Sequence, residues 1–315
     1  MPALILERSL PIRFLLILGL CVGLNSGCQL TRTSTSPSPV TTTVRPDMNA
    51  WAPCLVVQSP GGTPFNVQMD AARTLQRAGK MTWIRLNTHL DGRGLQYHIE
   101  ARRIGLKIFS IVHLEDLERA GWNTAFDTLY ATYPSDLWEI AGEISNGDPN
   151  VNRVTITPEY YMSHFKSLYD YVRTRYPAVT LTSAPTYGTG NSGSAELEQF
   201  FKLGLLDMDV VVAINVYSNA ALSNYATVID RYAARLAGKR IWVTETGSSN
   251  PDTHVAWVEQ FYPRLVNTVH PEMICWYALW GGDGGEGDNG FGLLDRVETG
   301  DAVERSLFTT LAGQP

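Results

Sequence analysis

The sequence predicts an α/β protein whose main domain, residues 51–315, is a single (β/α)8 barrel. Three observations point there. Short apolar runs rich in β-formers recur eight times, at 54–57, 82–86, 107–113, 137–142, 179–183, 210–216, 240–244 and 273–279. Their apolar character is nearly continuous, as in parallel strands covered by helices. Stretches with helical spacing of apolar residues separate the runs, and eight such units in about 260 residues is the usual size of a barrel. A doubly wound open sheet is the competing architecture, but it asks for a glycine-rich nucleotide loop after an early strand. Gly61-Gly62 is the candidate there and lacks the required spacing.

The helices follow in order. Residues 65–78 carry apolar side chains at helical spacing and end at Gly79; residues 95–104 end at Gly105. Glycine is common just past a helix end because it takes the left-handed conformation without penalty. The third helix falls somewhere within 114–133. Thr157-Pro158-Glu159 reads as a helix start, with a capping hydroxyl, proline at the first helical position and an acid in the first turn. That helix runs to Tyr176 and stops at Pro177, and residues 195–205, 221–237, 255–266 and 302–311 complete the set.

The N-terminal segment reads as three parts. Arg8 and Arg13 precede an apolar run at 14–24. At roughly eleven residues it is too short to span a bilayer and suits a signal-peptide core. Residues 1–27 are therefore expected to be a signal peptide. Asn25-Ser26-Gly27-Cys28 resembles a bacterial lipobox, with Cys28 as the lipidated residue. The leucine expected in that motif sits one place early, at Leu24, and Asn25 occupies its slot. Gln29 after the cysteine implies, by resemblance to bacterial lipoproteins, the outer membrane; secretion is the alternative. Residues 28–50 are rich in Ser, Thr and Pro and read as an extended tether. A lipid chain anchors a protein without making it span the membrane. A tethered, independent domain suggests a monomer.

Composition excludes some partners. Lys and Arg number 25 against 31 Asp and Glu, with no basic run. Nucleic-acid affinity rests on phosphate neutralisation, so that class is unlikely on physical grounds. The six histidines show no metal-site spacing, and 283–288, rich in Gly and Asp, lacks the ligand order of a calcium loop. No metal and no cofactor is expected. Cys54 and Cys275 lie in strands that a closed barrel would make neighbours; an export compartment permits a disulfide, but two buried free thiols is the preferred reading.

Barrel enzymes carry their chemistry where strands end, on the C-terminal face. The polar residues ending the apolar runs are Arg85, His113, Glu143, Asn215, Tyr217 and Glu245, with Trp280 after the last strand. Glu143 and Glu245 stand out, because a carboxylate aimed into a barrel mouth is costly unless paired or used. Glycoside hydrolysis needs two carboxyl groups flanking the bond. About 100 residues separate the two, or three units of about 33, which takes strand four to strand seven. Glu139 alternates to the opposite face from its neighbours and reads as structural.

These residues resemble the retaining barrel glycoside hydrolases of clan A, the cellulase-, mannanase- and β-xylosidase-like families. Trp138-Glu139-Ile140-Ala141-Gly142-Glu143 is similar to their strand-four segment, and Trp242-Val243-Thr244-Glu245-Thr246-Gly247 to their strand-seven segment. The resemblance implies that Glu143 is the acid/base and Glu245 the nucleophile. It implies that Arg85 supports the nucleophile, Tyr217 hydrogen-bonds it, and Trp276 or Trp280 floors the sugar site. Gly292-Leu293-Leu294-Asp295 resembles the segment that follows strand eight. The chain departs from the pattern at Gly142, where the clan carries an asparagine that contacts the sugar 2-hydroxyl; Asn146 is a candidate replacement.

The expected chemistry is double displacement on a β-glycoside of an extracellular poly- or oligosaccharide. The departure at Gly142 keeps a second reading open, a non-catalytic carbohydrate-binding lipoprotein on the same fold. A third, a barrel enzyme for phosphorylated substrates, would use Thr246-Gly247-Ser248-Ser249 as its phosphate loop, and export argues against it. Substrate choice would rest on the mouth loops at 188–194 and 281–292.

Overall fold

Eight parallel strands form the centre: β1 (Cys54–Val57), β2 (Trp83–Thr88), β3 (Lys107–Val112), β4 (Leu137–Ile140), β5 (Leu181–Thr182), β6 (Val212–Asn215), β7 (Ile241–Thr246) and β8 (Met273–Trp276). The computed structural model describes residues 54–57, 65–117, 121–145, 156–187, 191–280, 290–296 and 302–313. The chain divides into units 1–42 and 43–315, and every described residue belongs to the second. The signal-peptide, lipidation and tether expectations at 1–50 lie outside the described residues.

The strands hydrogen-bond in the order β5-β4-β3-β2-β1-β8-β7-β6. The two ends of that order meet as well. Thr182 bridges Val211 in parallel, Ser183 N–H donates to Val211 O at 3.0 Å, and Val211 N–H donates to Leu181 O at 3.0 Å. The sheet therefore closes on itself as a barrel, which removes both exposed edges.

Side chains alternate between two cores. Cys54, Phe109, Leu137, Val211, Trp242 and Cys275 fill the lower interior of the barrel. Trp242 takes Trp83 and Phe109 edge-on, with ring centroids 5.1 and 5.3 Å away. The alternate residues, such as Ile84, Trp138, Ile140, Ile214 and Val243, face outward into the helices. Each fully buried aliphatic side chain there stabilises the fold by about 1.5–3 kcal/mol.

The helical layer holds α1 (Phe65–Arg77), α2 (Leu95–Arg103), α3 (Leu114–Leu117), α4 (Trp122–Thr132), α5 (Pro158–Arg175), α6 (Ser192–Lys202), α7 (Asn219–Arg231), α8 (Ala233–Leu236), α9 (His254–Val269) and α10 (Ser306–Ala312). Thr157 caps α5 as its sequence suggests, accepting the Tyr160 N–H at 3.2 Å; such a cap contributes about 1 kcal/mol. The single helix expected within 114–133 is two, α4 being entered through Gly121 at φ 89°. On α2, His98 is fully buried and ties the helix to β3. Its Nδ1–H donates to Gly94 O at 3.2 Å, leaving Nε2 to accept from the Ser110 hydroxyl at 3.2 Å. Burial, with nearby Arg102 and His89 acting in the same sense, lowers its pKa to about 4 against the helping pull of Gly94 O.

Two expectations need correction. Residues 302–311 are not one helix: β10 (Ala302–Glu304) pairs antiparallel with β9 (Leu294–Arg296), and α10 begins only at Ser306. Arg305 breaks the helix, because its buried guanidinium donates to Gly290 O and Gly292 O at 3.0 and 2.9 Å. Nor are Cys54 and Cys275 free thiols; they form a disulfide. The β1–β8 register sets them directly opposite, with Cα atoms 4.3 Å apart on inward-facing positions.

Candidate active site

The upper interior begins one layer above Trp242. On β2, Ile84 and Leu86 face the helices, so Arg85 between them points into the barrel. Its guanidinium lies over the Phe109 ring at 5.6 Å. On β4, Trp138 and Ile140 face out in the same way, and Glu139 faces in. Both charges are essentially inaccessible to solvent. Arg85 Nε donates to Glu139 Oε2 at 3.0 Å and Nη2 to Oε1, a bidentate pair. The remaining arm, Nη1, donates to Glu245 Oε1 at 2.6 Å.

Strict alternation along β7 would turn Glu245 outward, since Trp242 and Thr244 face in. A register shift intervenes: Ile214 pairs with Val243, but Asn215 pairs with Glu245. A bulge of this kind re-aims a side chain, and here it brings Thr244 and Glu245 both to the interior. Beyond it, Gly247 is required by close approach, for a Cβ there would lie 2.7 Å from Tyr277 O and 3.2 Å from the Phe291 ring.

Glu143 arrives by a different route. After β4 the chain turns through Ala141 at φ 71°, a left-handed conformation that costs a non-glycine residue about 1–2 kcal/mol. Such strain concentrates at functional sites. Glu143 is then 91 % removed from solvent, at 9 % exposure.

One strand end grips both acids. Asn215 Nδ2 donates to Glu143 Oε1 at 2.6 Å, and two residues on, Tyr217 OH donates to Glu245 Oε2 at 2.6 Å. Thr244 Oγ1 donates to Asn215 Oδ1 at 2.8 Å, which fixes the amide with its nitrogen toward Glu143. Burial, then the charges of Glu245 and Glu143, push the Tyr217 phenol well above its ordinary range, so it stays a donor.

The electrostatics favour a fixed cation between two acids. Burial alone would lower Arg85, but Glu139 and Glu245 outweigh it and hold its pKa above the ordinary value. Burial raises Glu139 to about 7 against the pull of Arg85. These two tendencies oppose each other at one contact. Bidentate pairing to a guanidinium, which does not deprotonate in proteins, favours the carboxylate.

The other expected residues lie as follows. His113 stacks on His89 from the end of β2, with centroids 5.1 Å apart and planes 18° from parallel. Burial lowers both, His89 to about 4. Trp276 faces away from the barrel interior: it is fully buried in the outer core, its indole N–H donates to Phe291 O at 3.0 Å, and His254 packs edge-on at 5.0 Å. Trp280 is buried in the same outer core and bridges Leu294. The inward aromatic of β8's end is Tyr277, which meets Tyr217 at 6.4 Å and Phe291 at 5.8 Å. The assignment of Trp276 or Trp280 to the sugar floor is thus corrected, since both side chains lie in the outer core. Period two from inward Cys275 would have selected Tyr277. Gly142 carries no side chain at the clan asparagine's place, and Asn146 and 283–288 lie outside the described residues. Among the described residues no three or more His, Cys, Asp or Glu gather as a metal site.

No protein-family model and no curated protein matches the sequence. Solved structures match the fold. A family 51 α-L-arabinofuranosidase from Bifidobacterium longum is 12 % identical, with a TM-score of 0.57, over 84 % of this chain and 72 % of that one. A GH30 endoxylanase from Clostridium papyrosolvens is 13 % identical, TM-score 0.55, over 82 % and 70 %. The GH53 catalytic domain of Ignisphaera aggregans is 15 % identical, TM-score 0.55, over 82 % and 95 %. These neighbours are clan A (β/α)8 glycoside hydrolases. At such identities the likeness establishes the barrel fold.

Proposed function

We propose that the chain is a retaining glycoside hydrolase that cleaves β-glycosidic bonds of an extracellular poly- or oligosaccharide. Glu245 is the nucleophile and Glu143 the acid and base. The observation that carries this reading is the grip of one strand end on two acids, Asn215 on Glu143 and Tyr217 on Glu245, each at 2.6 Å. Two carboxyl groups flanking the scissile bond are what glycoside cleavage requires, and retention goes with a separation of about 5–5.5 Å.

In the first step a Glu245 oxygen attacks the anomeric carbon while the proton of Glu143 passes to the leaving oxygen. The bond to the leaving group breaks and an ester to Glu245 forms. Arg85 and Tyr217 hold Glu245 in line, and both oxygens are already oriented before substrate arrives. In the second step Glu143 takes a proton from water, whose oxygen attacks the same carbon and releases Glu245. Asn215 keeps Glu143 in place through both steps. His113 and Asn215 remain candidates for contacts to the sugar, and Tyr277 joins them as a stacking face.

The test is a panel of dye-linked β-glucans, mannans, xylans and galactans, with the anomer of the first product read by proton NMR. Glu245→Ala is expected to lower kcat at least about 1,000-fold, on the order of 4 kcal/mol of transition-state stabilisation. Glu143→Ala should lower kcat/KM by about 100- to 1,000-fold on natural leaving groups and much less on activated aryl glycosides, whose departure needs no acid; kcat falls on both, because the second step loses its base. An inverted first product would sink the mechanism. A second reading, a carbohydrate-binding protein without turnover, is favoured by Gly142; glycan binding with no hydrolysis across the panel would select it.

We further propose an exported monomer, anchored in the outer membrane through a lipid on Cys28 or else secreted. Labelling with tritiated palmitate that disappears in Cys28→Ser tests the anchor.

A further inference from the structure

We propose that Glu139 is a positioning residue for this reaction, acting on the nucleophile through Arg85. The inference rests on the assignment of Glu245 above and extends it one shell inward. Arg85 is a long, flexible side chain, and a single contact to Glu245 would leave its guanidinium free to rotate. Glu139 removes that freedom. It takes two of the three guanidinium nitrogens, Nε at 3.0 Å and Nη2, and leaves only Nη1 for Glu245, at 2.6 Å. The Phe109 ring, 5.6 Å below, closes the remaining side. A planar fork held on two points has one direction left for its third arm.

The burial argues the same way. Glu139 and Arg85 are 0 % and 2 % exposed, so their pairing has expelled water and each ion carries a desolvation penalty. An apolar pair in the same layer would be as stable or more so. A charge pair retained at the foot of a reacting carboxylate fits a requirement of geometry better than one of stability. The charged and titratable groups around Glu139 are Arg85 from β2, Glu245 from β7 and Tyr161 from α5. Of these, only Arg85 contacts Glu139 and Glu245 together.

The test is Glu139→Gln, which keeps the volume but sets an amide N–H against the guanidinium. In its crystal structure Arg85 Nη1 is expected to leave Glu245. kcat is expected to fall about 10- to 100-fold with KM little changed, the pattern of misplacement rather than lost binding. Glu139→Asp, which keeps the charge, should recover part of kcat. The proposal is overturned if the Arg85–Glu245 contact survives in Glu139→Gln, or if it breaks while kcat holds. Should the wild-type protein turn over no glycoside, the catalytic reading fails, and the crystallographic contact still decides whether Glu139 holds Arg85. Should neither variant fold, the wild-type Arg85 Nε–H decides: an exchange-protected 15N–1H signal is expected, and rapid exchange overturns the proposal.

Discussion

The lower and upper halves of the barrel interior are built from the same eight strands and obey opposite rules. Below, Trp242, Phe109, Leu137, Val211 and the Cys54–Cys275 disulfide make an apolar plug with little left to satisfy. Above, two chains of donors and acceptors run side by side, Glu139–Arg85–Glu245–Tyr217 and Glu143–Asn215–Thr244. The difference teaches where each kind of residue is tolerated. Burying polar groups is affordable only where each finds a partner, and the upper layer achieves this by drawing on four strands at once. The lower half stabilises and the upper half orients.

That division makes predictions. The largest concerns the plug. Cys54→Ser releases a closed loop of 221 residues and should lower stability by about 2–5 kcal/mol, read as a drop in melting temperature, with kcat preserved at low temperature. Loss of kcat in the still-folded variant would break the separation of halves. Tyr217→Phe should do the reverse. Tyr217 orients the nucleophile, and losing a hydrogen bond to a charged group costs about 1.5–3 kcal/mol, so kcat should fall roughly 10- to 100-fold while the melting temperature falls less than in Cys54→Ser. The smallest effect at neutral pH belongs to neither half. His98 is buried with its pKa lowered from 6.5 to about 4, so the folded state favours the neutral ring. Its contribution is complete above pH 6.5 and is lost as the pH falls from 6.5 toward 4. A melting curve flat across that window, or one equally steep in His98→Asn, would remove this account.

How much of this was readable in the sequence differs between the halves as well. Strand positions were legible because an apolar run between two helices has few other meanings, and all eight runs hold strands. Arg85, Glu143, Asn215, Tyr217 and Glu245 were reachable as strand-end polar residues. What escaped was phase. Trp276 and Tyr277 are adjacent, and only the inward direction of Cys275 decides between them. Glu245 shows the limit of the rule itself, since the bulge before it breaks the alternation that a strict count would use. The disulfide escaped because a buried cysteine and a bonded one look alike until the register of β1 on β8 is known. Glu139 was read as structural; its partner Arg85 is what gives that burial a direction.

The cystine also has a topological effect. It fastens the first strand of the barrel to the last, so the backbone between Cys54 and Cys275 is a covalent hoop. A protease that nicks the chain once, at any loop along that hoop, produces two fragments that stay attached to one another. A barrel so hooped keeps all eight strands in one covalent molecule after its first cut.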